Sequence, residues 1–317
     1  MISDEKILVT GPAGQIAFPL CRALARDNEV WGIARFTDPA SREKVEAIGV
    51  TTRVCDLAGG DFAGVPRDFG VVLHLAAYQG PDRDYDHALR VNAEGTGLLL
   101  AHCRRARAAL VMSTHSVYRP HADPHHVFAE TDPLGEVDAQ HCPTYSVSKI
   151  GQESVARTCS RLFGLPVVIA RMNASYGPNG GLPAYHLDSV VAGRPVVTRW
   201  DPCTYSPIHE DDVIEQAGAL LDAAAVPALV VNWSGDEAVS VQEWCTYMGE
   251  LAGTAARVEV QEIPGTHRGS IADVTRRSSI TGPCRVDWRT GVRQTFLQRH
   301  GGTPPPPPPP ASARRAG

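Results

Sequence analysis

Tyr145 and Lys149 lie four positions apart in the segment Tyr145-Ser-Val-Ser-Lys149. On a helix, side chains at this spacing share a face, so we expect the phenol and the ammonium group to be neighbours. A nearby positive charge favours the phenolate and lowers the pKa of a tyrosine. Such a phenol can exchange a proton with a carbonyl or hydroxyl oxygen while a hydride moves at the attached carbon, so the pair predicts acid–base catalysis.

A turn that contains two glycines, Thr10-Gly-Pro-Ala-Gly-Gln-Ile-Ala17, separates the first predicted strand from the first predicted helix. Gly11 permits a tight turn, and Gly14 allows the backbone to approach a pyrophosphate. The N-terminus of the following helix attracts phosphate charge. Because the strand, turn and helix occur in this order, the segment predicts nucleotide binding rather than an ordinary loop.

The end of the second predicted strand bears on the choice of cofactor. It reads Ala34-Arg35, and no acidic residue follows before Asp38. A carboxylate would bind the ribose hydroxyls of NAD, whereas a guanidinium can bind the 2′-phosphate of NADP. The sequence therefore favours NADP, with NAD as the alternative if Arg35 is only a solvated surface residue.

The first half of the chain contains the elements that would position these residues. Short β-rich runs are predicted at residues 6–10, 30–34, 51–55, 71–75, 109–113 and 166–170. Helical spacing is found at residues 15–25, from about 85 to 105, and from 145 to 163. This alternation predicts an α/β fold, a doubly wound parallel sheet of the Rossmann type, over residues 1–171.

After Arg171 the predicted elements become shorter and less regular. A strand is predicted at residues 228–232, and Ser240 and Glu243 form a capping box that opens a helix through Ala252. We expect residues 172–300 to form a smaller C-terminal substrate-binding lobe, with some segments returning to the main sheet. The tail from 301 to 317 contains the run Pro304 to Pro310 and is predicted to be disordered.

Composition excludes several other classes of protein. The chain has 317 residues and a formal net charge of −5, and no long basic run favours a nucleic-acid partner. No apolar run is long enough to cross a bilayer, and the start leaves no room for a signal peptide. The eight scattered cysteines are typical of reduced thiols, which predicts a cytoplasmic protein. The histidine-rich segment from His121 to His126 has the Pro and Asp of a surface loop, so no metal site is predicted.

The chain resembles the extended short-chain dehydrogenases/reductases, the NAD-dependent epimerase/dehydratase family, from Lys6 to about His300. The matching segments are Thr10-Gly-Pro-Ala-Gly14, His74-Leu-Ala-Ala77, Val91-Asn92, Ser113-Thr-His-Ser-Val-Tyr118, Tyr145 to Lys149, Arg171-Met-Asn-Ala-Ser-Tyr-Gly-Pro178 and Ile208-His-Glu-Asp-Asp212. The resemblance implies that Thr114 hydrogen-bonds the reacting oxygen, Tyr145 is the acid/base, and Lys149 holds the nicotinamide ribose. It also implies a homodimer built on the two long helices.

By the same resemblance and the turn geometry, we predict two sets of binding residues. The predicted cofactor contacts are Gly11, Ala13, Gly14, Gln15, Ile16, Arg35, Asp56, Leu57, Leu75, Ala76, Ala77, Asn92, Tyr145 and Lys149. The predicted contacts to a small-molecule substrate are Tyr78, Gln79, His115, Ser116, Asn173, His186 and Tyr205.

Departures from the family pattern narrow the reaction. His115 and Ser116 occupy positions where dehydratases of the family usually carry acidic residues, so elimination of water is disfavoured. Tyr205 aligns with an arginine of the sugar-nucleotide enzymes, which favours a substrate without a nucleotide, although Arg199 and Arg268 could reach a diphosphate. Asn173 could contact a diphosphate or act structurally.

The sequence therefore predicts an oxidoreductase, and three hypotheses remain. The favoured one is an NADP-dependent reductase of a ketone or aldehyde, or the reverse alcohol dehydrogenase, that uses Thr114, Tyr145 and Lys149. The alternative is an epimerase of a sugar or nucleotide sugar with tightly bound NAD. A third is a non-catalytic NADP sensor, against which the intact proton donor argues.

Overall fold

A computed structural model describes residues 2–137 and 141–301 of the chain. Its centre is a seven-stranded sheet in which every pairing is parallel. The strands are β1 (Lys6–Thr10), β2 (Glu29–Ala34), β3 (Thr51–Val54), β4 (Val71–His74), β5 (Ala108–Thr114), β7 (Val167–Met172) and β13 (Leu229–Trp233). Their order across the sheet is β13-β7-β5-β4-β1-β2-β3. The α/β fold class with a doubly wound parallel sheet is confirmed.

The helices are α1 (Ala17–Leu24), α2 (Pro39–Glu46), α3 (Tyr85–Leu89), α4 (Gly95–His102), α5 (Tyr145–Phe163), α6 (Leu182–Val191), α7 (Glu210–Asp222), α8 (Val241–Ala252), α9 (Thr275–Thr281) and α10 (Trp288–His300). Helices α1 and α7 pack on one face of the main sheet and α4 and α5 on the other, whereas α6, α8 and α10 pack in a separate core. Side chains of β1 alternate between the faces: Ile7 and Val9 join a core with α1 and α7, whereas Leu8 joins a core with α4 and α5.

The helix predicted from about 85 to 105 is interrupted. A π-helical turn, Arg90–Glu94, separates α3 from α4, and α4 ends at His102. The N-terminus of α4 lies against the chain after β3, since a Cβ atom on Gly95 would lie 3.0 Å from the Leu57 carbonyl oxygen. Such π turns are rare and often accompany functional sites. Here the turn contains Asn92, whose side chain is buried.

A separate core, apart from the two on the faces of the main sheet, is built mainly from the chain beyond Met172. It contains Tyr176, Trp200, Trp244, Trp288 and other residues of α6, α8 and α10. The capping box is confirmed: the hydroxyl of Ser240 accepts from the Glu243 amide, and the Glu243 carboxylate accepts from the Ser240 amide. The remaining short strands are β6 (Val127–Phe128), β8 (Ser175–Gly177), β9 (Gly180–Gly181), β10 (Val196–Thr198), β11 (Thr204–Tyr205), β12 (Ile208–His209), β14 (Val239–Ser240), β15 (Val258–Val260) and β16 (Gly269–Ala272).

The predicted strand at 228–232 is β13, one residue later, and it lies beside β7 at the edge of the main sheet. Within the described chain, no helix is long and apolar enough to span a membrane. The predicted disordered tail lies outside the described residues, apart from Gly301.

Candidate active site

The turn after β1 has the conformation that its glycines predicted. Gly11 has a φ of 66°, and its amide donates to the Ile33 carbonyl at 2.9 Å. A Cβ atom on Gly11 would lie 3.2 Å from the Cα of Ala76, so β1 and the end of β4 approach closely at this point. The Gly14 amide donates to the Gly11 carbonyl at 2.9 Å, which closes the turn. The turn leaves an open channel along the carboxyl ends of the strands, where doubly wound folds bind their ligands.

A cavity of about 510 Å³ occupies this position. Eleven of the predicted cofactor contacts line it, namely Gly11, Ala13, Gly14, Gln15, Ile16, Arg35, Asp56, Leu57, Leu75, Ala76 and Ala77. Asn92 does not line it. Its side-chain amide instead bonds the backbone of Tyr78 on both sides, at 2.7 and 3.0 Å, and donates to the Ser148 hydroxyl at 2.9 Å. Asn92 therefore fixes the backbone of the loop after β4 without lining the cavity.

His74 joins the ends of β1 and β4 beneath this cavity. Its Nδ1 lies 2.8 Å from the Thr10 hydroxyl, which itself accepts from the amides of Leu75 and Ala76. Its Nε2 lies 2.7 Å from the hydroxyl of Thr96. Burial, together with the smaller effect of the Lys149 charge, lowers the pKa of His74 to about 3. A neutral imidazole thus holds the strand ends in register.

The three residues that the sequence predicts to be catalytic, called the predicted trio below, come from one strand of the main sheet and the helix that covers it. Thr114 is the last residue of β5, Tyr145 is the first residue of α5, and Lys149 follows one turn later. Helix α5 has the limits that the sequence predicted. The Lys149 ammonium donates to the Met112 carbonyl at 2.6 Å and lies 5.9 Å from the centre of the Tyr145 ring.

Burial is the main influence on the acid–base behaviour of this trio. It raises the pKa of Tyr145 to about 12, and hydrogen bonds with Gln79 and Thr114 act in the opposite direction. Burial also lowers the pKa of Lys149 to about 7, while the charge of Glu153 raises it. In this structure the effects that lower the tyrosine pKa come from Gln79 and Thr114. The spacing predicted that Lys149 would also lower the pKa of Tyr145, but Lys149 is not among the causes of the shift.

A second cavity, of about 470 Å³, extends from the predicted trio toward the C-terminal elements. It shares Gln15, Ile16, Leu75, Ala77 and Gln79 with the cofactor cavity, so the two are adjoining parts of one groove. Thr114, Tyr145 and Lys149 all line the second cavity. Tyr145 and Lys149 do not line the cofactor cavity, although both were predicted as cofactor contacts. The phenol of Tyr145 lies beside Gln79, which lines both cavities.

Five of the predicted substrate contacts line this second cavity, namely Gln79, His115, Ser116, Asn173 and Tyr205. Tyr78 lines the cofactor cavity instead. His186 lines neither cavity. Its Nδ1 accepts from the Trp244 indole N–H at 3.1 Å, in the core built from the chain beyond Met172.

Asn173 and His115 are bonded to each other in the cavity wall. The Asn173 amide donates to the Ser270 carbonyl at 2.6 Å and lies 3.2 Å from Nδ1 of His115. The side-chain oxygen Oδ1 of Asn173 accepts from the backbone amide of Ala174 at 2.8 Å. Burial lowers the pKa of His115 to about 3, so this histidine is neutral. These contacts give Asn173 a structural role in joining β7 to β16.

Several cavity residues were not predicted from the sequence. His141, Tyr185, His267 and Ser270 contribute to the wall, and Phe36 and Ser41 line the cofactor cavity. The positions of His267 and Ser270 are set by β16 and its pairing with β11. Their place just before Ala272-Asp273 is the only feature of the sequence that could have marked His267 and Ser270 as cavity residues. Within the described residues, no group of histidine, cysteine or acidic side chains has the arrangement of a metal site.

The model of the NAD dependent epimerase/dehydratase family matches residues 7–223. The chain belongs to this family. An uncharacterised UDP-glucose epimerase of Bacillus subtilis is 24% identical over 296 residues, covering 87% of this chain and 91% of the relative. A probable dTDP-glucose 4,6-dehydratase of Sinorhizobium fredii is 29% identical over 189 residues, covering 55% of this chain and only 54% of the relative.

Solved structures of the family share the fold over nearly the whole chain. The UDP-glucuronic acid 4-epimerase of Bacillus cereus, in complex with UDP-glucuronic acid and NAD, has a TM-score of 0.81 at 23% identity and covers 93% of this chain and 99% of its own. The UDP-glucose 4-epimerase of Thermus thermophilus, in complex with NAD, has a TM-score of 0.78 at 24% identity, with 94% and 100% covered. These comparisons favour the epimerase hypothesis over the ketone or aldehyde reductase that the sequence favoured.

Proposed function

We propose that this protein is an NAD-dependent epimerase of a sugar or nucleotide sugar. Supporting this are the family, the relative and the solved structures of similar length that are named as epimerases, and the position of Tyr145 beside Gln79 at the junction of the two cavities. The single observation that carries the proposal is this junction, because epimerisation by hydride transfer requires the substrate carbon, the acid/base and the nicotinamide at one point.

The cofactor cavity fits a dinucleotide. The Gly11 turn is kept free of side chain by its close approach to Ala76, and the carboxyl ends of the strands open into it. The turn residues Gly11 and Gly14 would hold the pyrophosphate, and Lys149 would hold the nicotinamide ribose. When bound, the nicotinamide supplies reversible acceptance of a hydride from the substrate carbon.

Tyr145 is the proposed acid/base. Its phenolate takes the proton of the substrate hydroxyl as the carbon is oxidised, and the phenol returns it when the carbon is reduced from the other face. Thr114 and Gln79 hydrogen-bond the phenol and hold it at the junction. No carboxylate from Thr114 to Ser116 is available to expel water, so dehydration remains disfavoured.

The experiment is to denature the purified protein, identify any released nicotinamide, and incubate native protein with UDP-glucose, UDP-galactose and UDP-glucuronic acid without added cofactor. Proton NMR of the sugar follows epimerisation directly. Retained NAD and conversion of at least one sugar nucleotide into its epimer would support the proposal. A protein that releases no nicotinamide and converts none of the three, even with added NAD, would overturn it.

Arg35 favours a second candidate, an NADP-dependent carbonyl reductase. Its exposed side chain lines the cofactor cavity at the end of β2, and no carboxylate occupies that strand end. The nearest acid along the chain, Asp38, is engaged as the N-cap of α2, where it accepts from the Ala40 amide at 3.1 Å. Reduction of a panel of ketones and aldehydes by NADPH, with no epimerase activity, would support this candidate.

We further propose a homodimer formed through α4 and α5. Leu98 on α4 is 45% exposed and Leu162 on α5 is 71% exposed, and a dimer contact would cover such apolar surface. Light scattering at several concentrations tests this. Location in the cytoplasm remains a prediction, which rests on the eight free cysteines.

A further inference from the structure

Lys149 is poorly placed to favour the phenolate of Tyr145. Its terminal nitrogen donates to the Met112 carbonyl at 2.6 Å and lies 5.9 Å from the centre of the Tyr145 ring. Burial lowers the pKa of Lys149 to about 7, against the opposing effect of the Glu153 charge. At neutral pH the group therefore carries only part of a positive charge, and its hydrogen bond points to the main sheet rather than to the phenol.

Two neutral side chains, Gln79 and Thr114, hydrogen-bond the phenol instead. The Thr114 hydroxyl accepts from the Ser116 amide at 3.1 Å, so its own hydrogen is left for the phenol oxygen. Both contacts lower the pKa of Tyr145, which is the effect of donation to the charged form of a group. The Gln79 contact is therefore a bond from its side-chain amide N–H to the phenol oxygen.

The backbone that carries Gln79 is tied to the helix that carries Tyr145. The buried side chain of Asn92 accepts from the Tyr78 amide at 2.7 Å and donates to the Tyr78 carbonyl at 3.0 Å, so it fixes the peptide that leads into Gln79. The same Asn92 side chain donates to the Ser148 hydroxyl at 2.9 Å, which donates to the Tyr145 carbonyl at 3.0 Å. One side chain thus sets the position of the loop after β4 relative to the first turn of α5.

Gln79 also lies at the boundary between the two cavities. It is exposed and lines both of them, whereas Thr114 lines only the second. Of these two partners of the phenol, Gln79 is thus the one that a bound dinucleotide and a bound substrate would both adjoin.

We propose that Gln79 is a positioning residue for the acid/base, which donates to the phenol oxygen of Tyr145 and favours the phenolate in place of Lys149. An amide does not titrate, so it keeps its donor at every pH at which the protein is folded. Lys149 keeps its proposed role at the nicotinamide ribose. The inference rests on the proposed function for the role of Tyr145, whereas the effect of Gln79 on the phenol can be measured without a substrate.

Titration of the phenol in the full chain tests the assignment. The eight tyrosines would be replaced by 3,5-difluorotyrosine, whose fluorines lower the pKa of each phenol and bring that of Tyr145 into the range in which the protein is folded. Fluorine NMR follows each ring, and the spectrum of Tyr145→Phe assigns the signal. Gln79→Leu removes the donor and should raise the measured pKa by about 1–2, the effect of losing one hydrogen bond to a charged group.

Three further variants give the comparison. Gln79→Glu keeps the length of the side chain but replaces the donor by a carboxylate, so the pKa of Tyr145 should rise at least as far. Lys149→Met should raise it less than Gln79→Leu does. Gln298→Leu, at an exposed position on α10 outside both cavities, is the matched control and should leave it unchanged. Thermal melts identify the variants that fold, and either Gln79 variant alone decides the test.

The pH dependence of turnover separates this role from a structural one. With a sugar nucleotide that the protein epimerises, Gln79→Leu should lower kcat by about tenfold at pH 7, because less phenolate is present. The loss should shrink as the pH rises and the phenolate returns, and KM should change little. A residue that only supports the loop would instead lower kcat by the same factor at every pH.

The inference is overturned if a folded Gln79 variant leaves the pKa of Tyr145 unchanged, or if Lys149→Met raises it more than Gln79→Leu does. These titrations need no turnover. A raised pKa in a Gln79 variant of a protein that epimerises no sugar would support the role of Gln79 and contradict the proposed function. Epimerisation by the wild type, with an unchanged pKa in Gln79→Leu, would do the opposite.

Discussion

Glu153 and Arg171 form an ion pair in the interior of the protein, one helical turn beyond Lys149 on α5. The Arg171 Nη2 lies 2.7 Å from Oε2 of Glu153, and Nε lies 2.8 Å from Oε1. The side chains are 2% and 1% exposed. The Ser113 hydroxyl also donates to Oε1, at 2.7 Å. The pair thus ties α5, which carries Tyr145 and Lys149, to β7 and to the end of β5 beside Thr114.

Glu153→Gln should lower the free energy of unfolding substantially. Breaking a buried pair by removing one charge leaves the other uncompensated, at a cost of about 3–5 kcal/mol. Urea denaturation followed by circular dichroism measures the loss. Glu94→Gln, at the exposed last position of the π turn, is the control and should change stability by less than about 0.5 kcal/mol. Equal stability of the two variants would contradict the structural role of the pair.

Tyr145→Phe should abolish turnover while leaving cofactor binding nearly intact. The phenol lines the second cavity beside Gln79, and the change removes one oxygen while keeping the ring. Loss of a general acid–base group reduces rates by about 10²–10⁴-fold. The assay is the NMR measurement of epimerisation, or NADPH oxidation with a carbonyl substrate. Tyr247→Phe, on α8 outside both cavities, should keep full activity, and full activity of Tyr145→Phe would refute the mechanism.

Arg35→Glu should discriminate between the two nicotinamide cofactors. A carboxylate at the end of β2 would repel a 2′-phosphate, so the ratio of NADPH to NADH affinity should fall by about tenfold or more. Fluorescence titration with each reduced cofactor measures the ratio. Arg104→Glu, on the exposed chain after α4, is the charge-matched control. An unchanged ratio in Arg35→Glu would show that Arg35 is only a surface residue.

Stability should fall as the pH falls below about 6.5, because two buried histidines are held neutral. The pKa of His74 and of His115 is lowered to about 3 from 6.5, mainly by burial. Between these values the unfolded chain binds more protons than the folded chain, so acid favours unfolding. Each such histidine contributes a slope of up to ~1.4 kcal/mol per pH unit.

His74→Gln provides the comparison. Urea midpoints at pH 7.5, 6.0 and 5.0 should decline less steeply in this variant than in the wild type, because one of the buried histidines with a lowered pKa is gone. The variant is expected to be less stable at pH 7.5, since the bonds to Thr10 and Thr96 are altered. Parallel pH curves for the two proteins would show that His74 does not remain neutral.

Local patterns predicted the parts of the fold and site that depend on local chemistry. The turn at Gly11, the capping box at Ser240 and the limits of α5 follow from backbone geometry and residue spacing within a few positions. The interruption of the helix after Leu89 could not be read this way, because it reflects the approach of Gly95 to Leu57 from another strand end.

Substrate contacts were harder to predict, because they come from tertiary pairings. His186 has the residue type of a ligand-binding group, but α6 packs it against Trp244. His267 lies in an irregular segment, and only the pairing of β16 with β11 places it in the cavity wall. Asn92 was predicted from a family motif, and its side chain is used by the Tyr78 backbone.

The position of β13 beside β7 has an evolutionary consequence. The chain leaves the main sheet at Met172 and returns to it at Leu229 as the adjacent strand. Parallel backbone hydrogen bonds join β7 and β13 along their length. The segment between these two residues, which includes Arg199 and Tyr205, therefore has both of its ends fixed on adjacent strands. Within this segment α7 packs with β1 in the core of the main sheet, so only the part before α7 can change in length and sequence without disturbing the sheet. Because His267 and Ser270, which follow β13, also line the second cavity, a change of substrate would involve both segments.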